Sequence, residues 1–246
     1  MRVLKIGGNQ LDDPAFIVGT AKIVARMDEA PVIVHGGGKG IKALQERLGI
    51  VPQYVDGLRV TDAATLEIVM MVLCGQANLN IVSALVCEGV EAQGFNGADR
   101  GLLRGRAVVR PNGNLGRVGE VSKVRTDIIR EALAAKVVPV IAPVLLGEDG
   151  GFFNANADKA AGAVAAALGA KQVVFLTDVS GVLYDGARLD RITQAQIQGL
   201  IRDNIITGGM VVKVNAALDA LSAGVKEAVI TNLDGMARGM GTVVTA

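Results

Sequence analysis

Val3-Leu4-Lys5-Ile6-Gly7-Gly8, and after it Pro31-Val32-Ile33-Val34-His35-Gly36-Gly37-Gly38, set the architecture. Each is a short apolar run that ends in glycine, and residues 14–28 between them read as a helix. Runs of Val, Ile and Leu without polar alternation are what strands buried on both faces look like. Strand, helix, strand in that order is a βαβ unit, which lays its strands parallel. The rhythm repeats along the chain. Further strands are expected at Val90–Phe95, Val137–Val144, Gln172–Thr177, Ala228–Thr231 and Thr242–Thr245. Further helices are expected near 39–48, 62–87, 125–135, 156–168, 193–202 and 210–223. Asp62 is placed to cap the third helix, and Thr126-Asp127 to open the fourth. The fold class is α/β, an open and mainly parallel sheet sandwiched by helices.

One region breaks the rhythm. Residues 103–121 alternate apolar and polar on both sides of Asn112-Gly113, a strong hairpin signal. A β-hairpin insertion is expected there. No internal repeat or flexible linker separates parts of the chain, so any second lobe shares the sheet with the first.

Composition excludes several functions. Lys plus Arg number 25 and Asp plus Glu 24 in 246 residues, so no electrostatic footprint for nucleic acid exists. Aromatic residues are 3%, too few to stack bases. Cys74 and Cys87 cannot make a disulfide framework and read as small buried hydrophobes in a helix. His35 is the only histidine, which rules out a multi-histidine metal site. Its place at a strand end marks it as a satisfied structural residue rather than a base. No signal peptide and no transmembrane run is read, so cytoplasm is the expected location and no membrane partner is expected.

The 32 glycines gather where strands end, at Gly7-Gly8, Gly36–Gly38, Gly94, Gly97, Gly181 and Gly208-Gly209. Ligands of open α/β sheets bind outside the carboxyl ends of the strands. Glycine there lets backbone N–H groups approach an anion. A P-loop is absent, because Gly36-Gly37-Gly38-Lys39-Gly40 lacks the hydroxyl residue and the spacing. No dinucleotide fingerprint follows a strand.

Six segments in order, spanning residue 3 to about 245, resemble the amino-acid kinase family. They are Lys5-Ile6-Gly7-Gly8, His35-Gly36-Gly37-Gly38, Gly57-Leu58-Arg59-Val60-Thr61, Asn154-Ala155-Asn156-Ala157-Asp158, Thr177-Asp178-Val179-Ser180-Gly181-Val182-Leu183 and Gly208-Gly209-Met210-Val211-Val212-Lys213-Val214. The third is similar to the substrate clamp of the branch that acts on N-acetyl-L-glutamate.

The resemblance implies an N-terminal lobe, 1–153, for the acyl amino acid and for dimerisation, and a C-terminal lobe, 154–246, for ATP. It implies a kinase that moves the γ-phosphoryl group of ATP, with Mg²⁺ bound on the nucleotide, to the side-chain carboxylate of N-acetyl-L-glutamate. Lys5 and Lys213 are then the transition-state lysines, with Asp158 between them holding both. Gly8 offers an N–H to the phosphoryl group. Gly37 and Gly38 offer theirs to the acyl amino acid, Arg59 clamps its α-carboxylate and Asn154 hydrogen-bonds it. The nucleotide falls to Asp178, Val179, Ser180, Gly181, Val182, Leu183, Ile205, Ile206 and Thr207. No protein cage for a metal is implied, and Lys159 reads as a helix-surface lysine outside the site. Gly94-Phe95-Asn96-Gly97-Ala98-Asp99-Arg100-Gly101 departs from the family's G-x-D-G run, so the shape of that loop is not implied.

Two alternatives stand beside this reading. One is a sister kinase acting on a carrier-linked aminoadipate group; the other is a non-catalytic sensor of an amino acid or nucleotide on the same fold. Against the sensor, Lys5, Lys213 and Asp158 are all present. Arginine-inhibited members of the family carry an extra helix ahead of the first strand. Only Met1 and Arg2 precede Val3 here, so the expectation is a homodimer, built on the apolar helix near 62–87, that arginine does not inhibit.

Overall fold

The computed structural model describes residues 1–8, 10–111 and 113–246. The chain opens with β1 (Arg2–Ile6), α1 (Pro14–Val24), β2 (Val32–His35) and α2 (Gly38–Arg47). A small ribbon, β3 (Tyr54–Val55) and β4 (Leu58–Arg59), follows. Next, α3 (Ala63–Met70) runs through the π-helical turns of Met71–Ala77 into α4 (Asn78–Cys87), and β5 (Ala92–Phe95) comes after. Then come β6 (Leu103–Ala107), β7 (Val118–Val124), α5 (Thr126–Ala134), β8 (Val138–Ile141), β9 (Val144–Leu146) and β10 (Phe152–Ala155). The second half holds α6 (Ala157–Leu168), β11 (Gln172–Leu176), the ribbon β12 (Leu183–Tyr184) and β13 (Ala187–Arg188), and β14 (Arg191–Thr193). It ends with α7 (Gln194–Arg202), α8 (Gly208–Ser222), β15 (Glu227–Thr231), α9 (Leu233–Ala237) and β16 (Thr242–Thr245).

Among the described residues the main sheet has eight strands in the order β14-β16-β15-β11-β1-β2-β8-β5. It is parallel except where β16 runs against β15. Strands from both halves of the chain share it, and β1 sits beside β11 at its middle. Leu4 and Ile6 point to one side and Val3 to the other, each within 1% of full burial, so β1 is covered on both faces. Burying one such side chain is worth about 1.5–3 kcal/mol. The connections run outward from β1 on one side and from β11 on the other, so a crevice forms at the carboxyl ends of these strands.

The expected hairpin exists as β6 and β7, paired antiparallel. Asn112 of its expected turn lies outside the described residues. The hairpin does not extend the main sheet. It closes with β9 and β10 into a small four-stranded barrel among the described residues. The sequence reading missed β10, and Pro143 divides the expected strand 137–144 into β8 and β9. Proline has no N–H to give a ladder, and its carbonyl here accepts from Ala155 N at 3.0 Å instead. The short α9 was also missed.

Helix ends follow local rules. Asp62 caps α3 by accepting from Thr65 N at 2.8 Å. Asn156 caps α6 by accepting from Asp158 N and Lys159 N, and Gly169, in the left-handed region, ends it. α6 is rich in alanine and packs closely on α8, where a Cβ on Gly162 would lie 3.3 Å from Ala220. This contact fixes Asp158 relative to Lys213. Arg100 holds a left-handed φ of 54° in the loop that departs from the family pattern, and its guanidinium pairs with Glu131.

Ala63–Cys87 is long and apolar enough, by length and composition, to cross a membrane. Its Ile68, Val69, Val72, Leu73, Ile81 and Leu85 are nevertheless part of the core. Met71, Leu79 and Val86 on the same helix are exposed. Cys87 is exposed too, against the expectation of a buried thiol, while Cys74 is half-buried and its thiol is pushed up to about 11 by burial.

Candidate active site

A cleft of about 520 Å³ opens where β1, β2 and β11 end. Lys5, the residue before Ile6 at the end of β1, lines it, and its ammonium lies 2.6 Å from Asp158 Oδ1. Both side chains are mostly covered, at 14% and 23% exposure. Lys213, one turn into α8, lines the cleft from the other half of the sheet. Its ammonium is 3.6 Å from Asp178 Oδ1. This corrects the expectation that Asp158 holds both lysines: among the described residues Asp158 pairs with Lys5, and Asp178 pairs with Lys213. Thr177 donates its hydroxyl to Asp178 Oδ1 at 2.7 Å, and this bond above all holds the Asp178 carboxyl below the usual range.

The two glycine loops meet face to face. A Cβ on Gly8 would lie 2.6 Å from both Gly37 N and Gly38 N, and one on Gly36 would lie 3.0 Å from Gly8 N. No side chain but hydrogen fits, so backbone amides of three glycines border one small space. α2 starts here with Gly37 as an N-cap that has no side-chain bond, and α8 starts without one either. Two helix N-termini thus meet the cleft without a capping side chain, where an anion is favoured.

Arg59 arrives on β4. It donates one N–H to Gln45 Oε1 and another to Gly38 O at 3.0 Å, and lies 4.9 Å over the Tyr54 ring. Burial lowers its pKa from the ordinary value, partly offset by Tyr54. Gln45 is buried and donates in turn to Thr65 Oγ1 at 3.2 Å. Asn154 on β10 donates to Thr61 Oγ1 at 3.1 Å, and Thr61 donates to Arg59 O at 2.9 Å. Arg59, Thr61 and Asn154 therefore form one connected wall.

His35 is fully buried. Its Nδ1–H donates to Gly36 O at 2.9 Å, which leaves Nε2 to accept from Asn78 Nδ2 at 3.0 Å. Burial pushes its pKa down to about 4. Asn78 also donates to Val140 O at 2.9 Å, and its Oδ1 would be 1.9 Å from a Cβ on Gly94. His35 is a neutral strut under the glycine loop.

Lys5, Gly8, Gly37, Gly38, Arg59, Asn154, Asp158, Asp178 and Lys213 are all brought to this cleft. The rest of the expected nucleotide segment is not among its lining. Leu183 and Ile205 stand exposed nearby in sequence, with Thr207, while Val179 packs partly on the core and Ser180 is half-buried. Gly181 is buried against Arg188 and Thr242. Val182 is a correction: it is fully buried, its N–H donates to Thr242 Oγ1 and its carbonyl accepts from Leu189 N. The Ile206 side chain is also core, so only backbone is left there for a ligand. Sequence reasoning missed Gln10, Tyr54, Leu58, Val118 and Val212 in the lining. Tyr54 and Leu58 flank Arg59 in a ribbon whose turn, Asp56-Gly57, is a D-G hairpin signal. Nothing in the sequence marks Val118.

The chain matches the amino acid kinase family over residues 1–232. It is 52% identical over 244 residues to a protein named acetylglutamate kinase from Roseiflexus castenholzii, covering 99% of this chain and 93% of that one. It is 44% identical over 252 residues to one of the same name from Methanopyrus kandleri, covering 99% and 100%. A crystal structure of a Streptococcus mutans protein superposes with a TM-score of 0.81 at 30% identity, covering 100% of this chain and 98% of that one. The chain belongs to the amino acid kinase family.

Proposed function

We propose that this member of the amino acid kinase family is an ATP-dependent carboxylate phosphotransferase with the activity of its named relatives, acetylglutamate kinase. It transfers the γ-phosphoryl group of MgATP to the side-chain carboxylate of N-acetyl-L-glutamate, a step of arginine biosynthesis, and it works in the cytoplasm. The observation that carries the reading is a cleft with one lysine from each half of the sheet, each beside its own carboxylate.

The chemistry fits that cleft. A carboxylate acceptor is already ionised at neutral pH, so no base is needed, and the one histidine is committed to structure. The transition state spreads charge over the equatorial oxygens of the moving group, and positioned cations and N–H donors stabilise it. Lys5 and Lys213 supply the cations, Asp158 orients Lys5, and Gly8 supplies an N–H. Gly37 and Gly38 meet the acyl amino acid. Arg59 takes its α-carboxylate with the part of its five-donor fork that Gln45 and Gly38 leave free, and Asn154 holds the acyl amide. Residues up to 153, joined by Asn154 at the boundary, thus serve the acyl amino acid, and residues after it the nucleotide, which lies along Asp178–Leu183 and Ile205–Thr207 with Val182 as core support.

A kinase of this family uses ATP with a divalent metal. No three His, Cys, Asp or Glu side chains cluster for a metal among the described residues. The donor set therefore suits Mg²⁺ carried on phosphate oxygens and water, its usual coordination in kinases. When bound there it neutralises phosphate charge. The protein is a homodimer in this reading, because Met71, Leu79 and Val86 leave one face of the 63–87 helix uncovered, and a two-fold contact covers such a face.

Coupled measurement of ADP release tests the activity. ADP should appear only when MgATP and N-acetyl-L-glutamate are both present. Release that ignores the acyl amino acid would remove the reading.

A further inference from the structure

A second cavity, of about 440 Å³, adjoins the catalytic cleft. The two share Leu58, Val118, Ala155 and Asn156 in their linings, so they meet along one wall. Val118 is the register partner of Asn154, the residue assigned above to the acyl amide. The second cavity therefore begins beside the acyl end of the substrate, away from the phosphoryl group.

Its lining carries three cationic side chains. Arg106, Arg110 and Lys159 line it, and Arg106 is neutralised by Glu120 at 2.8 Å. Arg110 and Lys159 have no carboxylate partner among the described residues. Val108, Val109 and Val121 add apolar lining. Lys159 is exposed in the first turn of α6, as expected of a helix-surface lysine, and it also lines this cavity.

We propose that this cavity is an acyl subsite that admits N-acyl-L-glutamates whose acyl chain is longer than acetyl and ends in a carboxylate, as in N-succinyl-L-glutamate. The proposal rests on the acyl-glutamate reading of the main cleft. Methylenes of the longer chain pass the Val118 and Leu58 wall, and the distal carboxylate meets Lys159 and Arg110 without displacing a native partner. A charge-assisted contact of this kind is stronger than a neutral one. The bonds changed are unaltered: the side-chain carboxylate oxygen bonds the γ-phosphorus, the bridging P–O bond breaks, and ADP leaves with its electron pair.

Steady-state kinetics on the full chain with N-acetyl-, N-succinyl- and N-butanoyl-L-glutamate test this. The expected result is turnover of the succinyl compound with kcat/KM within about tenfold of acetyl, the butanoyl compound falling well below both. Lys159→Ala combined with Arg110→Ala should lower kcat/KM for the succinyl compound by about tenfold or more and leave acetyl unchanged. Turnover of acetyl with none of succinyl would overturn the subsite and leave the function standing. Equal loss on both substrates, or no loss on succinyl, would also overturn it. No turnover of any acyl-glutamate would remove the underlying function, and the subsite with it.

Discussion

Lys5 and Asp158, 153 positions apart in the sequence, stand 2.6 Å apart at the mouth of the sheet. The capped first turn of α6 fixes the carboxylate, and β1 fixes the lysine's backbone. Lys213 is held more loosely, 3.6 Å from an Asp178 that is 68% exposed. Lys5→Ala and Lys213→Ala should each lower kcat by about 10²–10³-fold, the usual effect of removing one preorganised donor. Circular dichroism should show the fold retained in both. A variant that keeps more than half of wild-type turnover would take that lysine out of the mechanism.

Gly8→Ala places a methyl where Gly37 N and Gly38 N stand 2.6 Å away, so one backbone must move. Misplacing reacting groups by about 1 Å costs on the order of 10²-fold in rate. The expected result is a folded protein with kcat reduced to that extent. Near-normal kinetics would show that the two loops do not form the anion site together.

Arg59→Lys removes the planar fork yet keeps the charge. The α-carboxylate is remote from the reacting centre, so its clamp acts alike in ground and transition states. KM for the acyl amino acid should rise more than kcat falls, with KM for ATP steady. A change confined to the KM for ATP would reassign Arg59 to the nucleotide.

Much of this wall could be read from the sequence, because Arg59, Asn154 and the glycine pairs sit in short motifs whose residue types suit anions. The assignment of Asp158 to both lysines did not survive. Which carboxylate a lysine reaches depends on the packing of α6 on α8, through Gly162 and Ala220, and on the rotamer of a long side chain. Neither has a local signature. The barrel was hidden for the same reason. The alternation in 103–121 announces a hairpin, but its closure depends on Phe152–Ala155, which is too short and too mixed to stand out as a strand.

His35 gives a pH dependence of stability. Its folded pKa of about 4 lies below the unfolded value of 6.5. Between these values the unfolded chain binds more protons, so stability falls as pH falls through the window, by up to about 1.4 kcal/mol per pH unit. Urea unfolding at pH 6.5 and pH 5 should show this loss in the wild type, and His35→Asn should show a smaller slope. The interval lies above the range where ordinary carboxylates titrate, so they add little. Equal slopes in the two proteins would mean that His35 is not held neutral.

The direct test of the central claim is to trap the product. MgATP and N-acetyl-L-glutamate are incubated with the protein in hydroxylamine, which converts an acyl phosphate to a coloured hydroxamate, with N-acetyl-L-2-aminoadipate in parallel. The account predicts hydroxamate in step with ADP, formed faster from the glutamate derivative and lost in Lys213→Ala. ADP without hydroxamate, or hydroxamate from the aminoadipate derivative alone, would contradict it.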